Sequence, residues 1–391
     1  MKQGSRIHPL FLGLLAAALL VPAYVGFRLP NYWSATLTMV SLQDGFVRRS
    51  LIGTVFKPIW SALDYAYPAF AIASMVILAA LLACILVAAS RAQTDGQRLV
   101  ALLWILAPTG AYLFHLVGYL DLVLYLLLFG AILLADRRHL VWASALMTAS
   151  ALVHENMLLV TLPVFAYRVL AVHGFRKALL ACLAPAAAVA TLMLLPRVST
   201  GTRELALAKW DSIAEFPMRY DAVNLQARSL TDAWELYSVW DVTMWVIPIG
   251  LGIVLGWILL IIARRRAMGD SMGDSIGGSI GDSMRDGLAL GITAMIASLA
   301  PLALAFLGWD ASRWNFLALS NFALLAYAWL GSDRMRFNLL IALGVTVPFL
   351  PLFYQPLAYF DEVSPRPIAP QVVVQYLQGK IPDGFLALPK A

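Results

Sequence analysis

Residues 44–53 read DGFVRRSLIG, an acid followed by two adjacent arginines in a chain with few charges. A guanidinium presents a planar fork of donors that matches phosphate oxygens two at a time. A carboxylate nearby can accept a proton from a hydroxyl brought up to the same phosphate. Anion binding beside a base is what group transfer from a phosphorylated donor requires. On this reading Asp44 is the candidate catalytic base, and Arg48 and Arg49 are the candidate phosphate ligands. The plainer reading is that both arginines grip anionic lipid headgroups, and the residues alone leave both open.

Three further turns carry ionisable groups. FHLVGYLD (114–121) sets His115 and Tyr119 four apart, on one helical face, with Asp121 at the next turn. HEN (154–156) puts His154 and Glu155 between two apolar runs, and GWDASRW (308–314) presents Asp310 and Arg313. Each has a bland alternative. His115 can be a packing residue, Asp121 an N-cap and Glu155 a helix-end acid. Asp310 and Arg313 can form a local pair of ~0.3–0.5 kcal/mol. Taken together they are the candidate substrate-binding set, because ionisable groups near the bilayer are rare and mark pathways or active sites.

The elements that must hold these groups are apolar. Of 391 residues, 61% are hydrophobic and 13% charged, with mean hydropathy +0.79, against ~25% charged in soluble domains. The expectation is an all-α, polytopic integral membrane protein, a single transmembrane domain over 1–391. Hydropathy places about eleven spans, at 9–27, 68–90, 99–117, 121–135, 140–153, 157–172, 178–196, 243–263, 288–308, 315–331 and 337–354. The first, without a convincing small-x-small cleavage site, is read as a retained helix rather than a signal peptide. The stretch 140–172 is either one kinked helix or a hairpin, and its polar break and flanking basic residues favour the hairpin.

Short basic connectors at 91–98, 136–139, 175–177, 264–266 and 333–336 alternate with the acidic and aromatic turns. The positive-inside rule then puts the N-terminus in the cytoplasm and the four polar turns outside. The net charge of +6 is topogenic, so no nucleic-acid partner is expected. Three long segments fall outside: 28–67, 197–242 and the C-terminal tail 355–391. In the first, Val47, Leu51, Ile52, Val55, Phe56, Ile59, Trp60 and Leu63 recur at helical spacing, an amphipathic helix lying in the membrane interface. The second is dense in aromatics, carboxylates and amides, as a sugar-binding surface or a lid helix would be. The cytoplasmic loop 264–287 contains a degenerate Gly/Ser/Asp repeat and reads as a flexible linker. Cys84 and Cys182 both lie in apolar runs, so neither a disulfide framework nor a Cys-x-x-Cys metal site is expected.

With Asp44 in the first extracytoplasmic loop and an amphipathic helix behind it, the chain resembles the GT-C superfamily of membrane glycosyltransferases. The set DGFVRRSLIG, HLVGYLD, HEN and DASRW also resembles uncharacterised bacterial multipass proteins found near polysaccharide genes. The resemblance covers the whole chain in topology and only these short motifs in sequence. It implies a polyprenyl-phosphate-linked sugar as donor, a glycan or lipid acceptor, and Asp44 as the catalytic carboxylate, in a bacterial inner membrane. No cofactor is implied; a paired-acid motif is missing at Asp44, so a divalent metal is not indicated. The alternatives are an O-antigen-type polymerase, a transporter or flippase for a lipid-linked saccharide, and an acyltransferase with a histidine base.

Overall fold

The computed structural model describes residues 9–195, 198–224, 239, 242–270, 280–306, 310–331 and 337–354. Every regular element among them is helical. An apolar solvent demands this, because backbone N–H and C=O groups must be satisfied within their own segment. Helix α1 (Pro9–Gly26) leads to α2 (Tyr32–Leu37) and α3 (Leu51–Ala62) in the first loop. The bundle continues with α4 (Tyr67–Ser90), α5 (Asp95–Leu106), α6 (Pro108–His115), α7 (Leu120–Asp136) and α8 (Leu140–Val153). Next come α9 (Met157–Val160), α10 (Leu162–His173) and α11 (Phe175–Leu194), then α12 (Thr200–Ile213) and α13 (Tyr220–Asn224) in the large loop. The chain closes with α14 (Ile247–Asp270), α15 (Ile280–Leu299), α16 (Ala311–Leu330), α17 (Leu339–Thr346) and α18 (Leu350–Tyr354).

Over the described residues, the apolar stretches expected to span are largely helical, several of them broken into shorter segments. Among the described residues, four helices are long and apolar enough to cross a membrane alone: Tyr67–Ser90, Phe175–Leu194, Ile247–Ala267 and Gly287–Phe306. Helices α5 and α6 make a fifth if taken as one span bent by 56°. The bend has a local cause. Thr94 and Gln97 close a capping box that starts α5, and the Pro108 ring forces Ala107 into extended backbone, ψ 167°. Other stretches are shorter; α8 has 14 residues, about 21 Å at helical rise against a hydrocarbon core of ~30 Å.

Side-chain bonds fix which ends lie together. Arg168 near the end of α10 donates to both carboxylate oxygens of Asp136 at the end of α7, each at 2.9 Å. His173 Nε2 lies 2.8 Å from the Ala135 carbonyl. Helices α8 and α10 are therefore antiparallel, and 140–172 is a hairpin with its tip at His154-Glu155-Asn156. At the other side of the bundle, Thr94 Oγ1 donates to Leu330 O at 3.0 Å and Gln97 Nε2 to Tyr327 O at 3.0 Å. Arg264 sits 4.2 Å over the Trp329 ring and within electrostatic reach of Tyr167. The basic connectors at 91–98, 136–139, 175–177 and 264–266 thus gather at one end of the bundle. The fifth, 333–336, lies outside the described residues, as do 225–238 of the large loop, 271–279 of the linker and the tail 355–391.

The first and large loops were expected as separate segments, and they share one core. Tyr32, Met39, Phe46 and Trp60 bury against Trp210 and Phe216. Phe46 stacks on Trp210 at 5.6 Å and Tyr32 on Phe216 at 5.8 Å. This cap forms because α3 has two apolar faces. Gly53 and Trp60 turn inward, while Val55, Ile59 and Leu63 remain exposed every fourth residue, the stripe an interfacial helix offers to lipid. Trp210, 2% exposed, is consumed by packing and is no sugar-stacking surface.

Candidate functional site

The end opposite the basic connectors collects the polar turns. His154 ends α8 in extended backbone, φ −164° and ψ 128°, which reverses the chain and leaves Glu155 at the hairpin tip. Gly118, at φ +89°, makes the turn between α6 and α7, and a Cβ there would meet the Pro30 and Ser34 side chains at 2.8 Å. Asp310 caps α16 by accepting the Arg313 N–H at 3.1 Å. Arg49 adopts left-handed backbone, φ 55°, which is strained for a residue with a Cβ and tends to occur at functional positions.

These turns bring the side chains into one continuous assembly. Arg49 donates Nε and Nη2 to Glu155 Oε1 at 3.0 and 2.5 Å. Glu155 Oε2 lies 3.5 Å from His154 Nδ1, and His154 Nε2 lies 3.5 Å from Arg313 Nη2. Arg313 in turn pairs with Asp121 at 2.6 Å and places its guanidinium 5.5 Å from the Tyr119 ring centre. The Tyr112 hydroxyl reaches Asp310 Oδ1 at 3.5 Å, and its ring stacks on His115 at 5.7 Å. Eight of the ten residues singled out in the sequence meet here: Arg49, His115, Tyr119, Asp121, His154, Glu155, Asp310 and Arg313.

Burial sets the charges. Asp121 is fully buried and Arg313 nearly so, so their pairing is mutual neutralisation in a poor dielectric. The contact does not satisfy both partners. Among the described residues, Asp121 Oδ1, Arg313 Nε and the Trp314 indole nitrogen are buried without a hydrogen bond, so the assembly retains polar capacity for a bound group. Burial pushes the Glu155 carboxyl up, but Arg49 and His154 outweigh it and hold it well below the usual carboxylate range. His154 is lowered by burial and by Arg49, so its ring is neutral at pH 7. Burial pushes Asp310 up to about 6, against the pull of Arg313.

Asp44 and Arg48 are held elsewhere. Asp44 Oδ1 accepts from Lys209 at 2.9 Å, and Oδ2 from Lys57 at 3.0 Å and Ser41 at 2.6 Å. Burial raises this carboxyl, but the bonds from Lys209, Ser41 and Lys57 prevail and lower it overall. The acid thus ties the first loop to α12. Arg48 donates to the carbonyls of Leu192 and Met193 at 3.0 and 3.1 Å, capping the end of α11. It reached neither acid nor cluster because the chain turns left-handed at Arg49, which separates the two adjacent guanidinium groups.

Tyr112, Arg28 and Asn31 were not anticipated. Arg28 Nε donates to the His115 carbonyl at 2.8 Å, and Asn31 Nδ2 to the Tyr119 hydroxyl at 3.2 Å. The available signal was an arginine and an amide directly after the first apolar run. Among the described residues no group of three His, Cys, Asp or Glu side chains is placed to hold a metal ion. A small apolar cleft runs from Leu113 and Phe316, beside the assembly, toward the basic end, where Ala88, Ala89, Val100 and Tyr327 line it. Phe316 connects the two, its ring 5.3 Å from that of Tyr112. Comparison with protein-family models, curated proteins and solved structures yields no match for this chain.

Proposed function

We propose that the protein is a membrane glycosyltransferase of GT-C type, which moves a sugar from a polyprenyl-phosphate-linked donor to a glycan or lipid acceptor. The observation that carries the proposal is the convergence of acids, arginines and a neutral histidine at the end of the bundle opposite the basic connectors, beside an apolar cleft. By the positive-inside rule the basic end faces the cytoplasm, so the reaction takes place at the extracytoplasmic face of a bacterial inner membrane, in a bundle of about eleven spans. The apolar lining of the cleft suits a hydrocarbon chain, and the guanidinium groups of Arg49 and Arg313 suit the donor phosphate. As the bond from the anomeric carbon to the phosphate oxygen breaks, charge develops on the phosphate, and cations fixed beside it stabilise the transition state. His115, Tyr119, Asp121, His154 and Glu155 orient sugar hydroxyls.

A transporter reading draws on the polar groups below Asp121. Tyr125 OH bonds Asn321 Oδ1 at 3.1 Å, and Asn321 Nδ2 donates to the Val160 and Ala297 carbonyls at 2.7 and 3.2 Å. Those bonds terminate on backbone carbonyls, which favours a closed packing motif over a conduction path.

The test is reconstitution in liposomes with a labelled polyprenyl-phosphate sugar and an acceptor glycan. Labelled glycan as product supports transfer, and lipid translocation without product supports the transporter.

A further inference from the structure

A transferase of this kind needs a base for the acceptor hydroxyl, and four acids of this end compete for the role. A base must have an oxygen lone pair free to receive a proton, and a proton affinity near the working pH. Asp44 fails the second condition, because the bonds from Lys209, Ser41 and Lys57 lower its proton affinity. Glu155 is forked by Arg49, and Asp121 is fully buried against Arg313. Asp310 alone of the four makes no ion pair among the described residues.

We propose that Asp310 is the catalytic base of the transfer, an assignment that rests on the glycosyltransferase reading above. Its Oδ1 is held by the Arg313 N–H at 3.1 Å and faced by the Tyr112 hydroxyl at 3.5 Å, which fixes the carboxyl plane. Among the described residues its Oδ2 takes no hydrogen bond, and the residue is partly exposed. The acceptor O–H gives its proton to Oδ2, the acceptor oxygen forms its bond to the anomeric carbon, and the electron pair of the broken bond leaves with the polyprenyl phosphate. The proton passes from Asp310 to solvent. The charged and titratable groups that face Asp310 are Tyr112 on α6, Tyr119 before α7, Asp121 on α7 and Arg313 on α16, with Arg28 from the first loop near the two tyrosines. With its carboxyl at about 6, Asp310 is ionised at pH 7 and still basic enough to act.

Asn is as good an N-cap as Asp, so Asp310→Asn keeps the helix start and removes only the base. Expected in the liposome assay is a fall in kcat of about 10²–10⁴-fold, with binding of the labelled donor unchanged. The wild-type rise of kcat with pH across about 6 is expected to vanish in the variant, and Asp310→Glu to restore part of the activity. Asp44→Asn, which loosens the cap, is expected to keep the pH limb. Wild-type-like turnover in Asp310→Asn, with loss of all turnover and intact donor binding in Asp44→Asn, would overturn the assignment while leaving the transferase reading in place. A wild-type protein that makes no product overturns both.

Discussion

Substituting Asp121 by Asn tests the electrostatic core of the site. Arg313 approaches Asp121 to 2.6 Å, with side-chain exposures of 9% and 0%. Arg98 approaches Asp95 to 2.7 Å at the opposite end of the bundle, with exposures of 39% and 67%. The separations are nearly equal, so distance alone forecasts equal worth. Solvation forecasts otherwise. In water the exposed pair exchanges one set of strong interactions for another, and Asp95→Asn is expected to cost ~0.2–1 kcal/mol. Asp121→Asn leaves a guanidinium buried without its counter-charge, at a cost of ~3–5 kcal/mol, roughly a hundredfold to a few thousandfold in the folding equilibrium. Because the loss is the stranded charge and not the pair itself, replacing both partners by apolar residues, Asp121→Leu with Arg313→Met, is expected to recover most of it. Unfolding in mixed micelles, followed by tryptophan fluorescence, measures all three. Equal costs for the two Asn variants, or a double variant no more stable than Asp121→Asn, would refute the reasoning.

Gly53→Ala is expected to undock α3, since its Cβ would collide with the Val40 carbonyl; loss of monodisperse protein in size-exclusion chromatography reads this. Lys209→Met is expected to loosen α12 more than Lys57→Met does, because Lys209 is the α12 residue that bonds Asp44, whereas Lys57 joins the acid to α3. Hydrogen exchange over 200–213 ranks the two. Since Asp44 has a lowered pKa in the folded state, its clamp is at full strength above the unfolded value of ~3.9. It is expected to weaken as pH falls through the lower, folded value, seen as protease sensitivity of α12 in acid. Arg49→Lys keeps the charge but loses the fork on Glu155, with an expected loss of ~1.5–3 kcal/mol in the same micelle assay.

What the sequence determined alone follows from short-range physics. An apolar run must bond its own backbone in lipid, so the helix positions and the break at His154 were legible from composition and local residues, whereas the bend at Pro108 inside 99–117 was not. Alternation of basic connectors with polar turns placed Asp310, His154 and Asp121 at one end of the bundle. Pairing was decided only in three dimensions. Asp44 is held by Lys209, 165 positions away, and Glu155 by Arg49, 106 positions away. No spacing rule reaches across such distances, because loop closure brings those partners together through the cap core of Phe46 and Trp210. Local patterning marked Asp121, Glu155 and Asp310, which the fold brings together, and equally Asp44, which the fold holds apart. Which carboxylate keeps a free oxygen depends on where every cation finally rests, and that is a property of the folded chain.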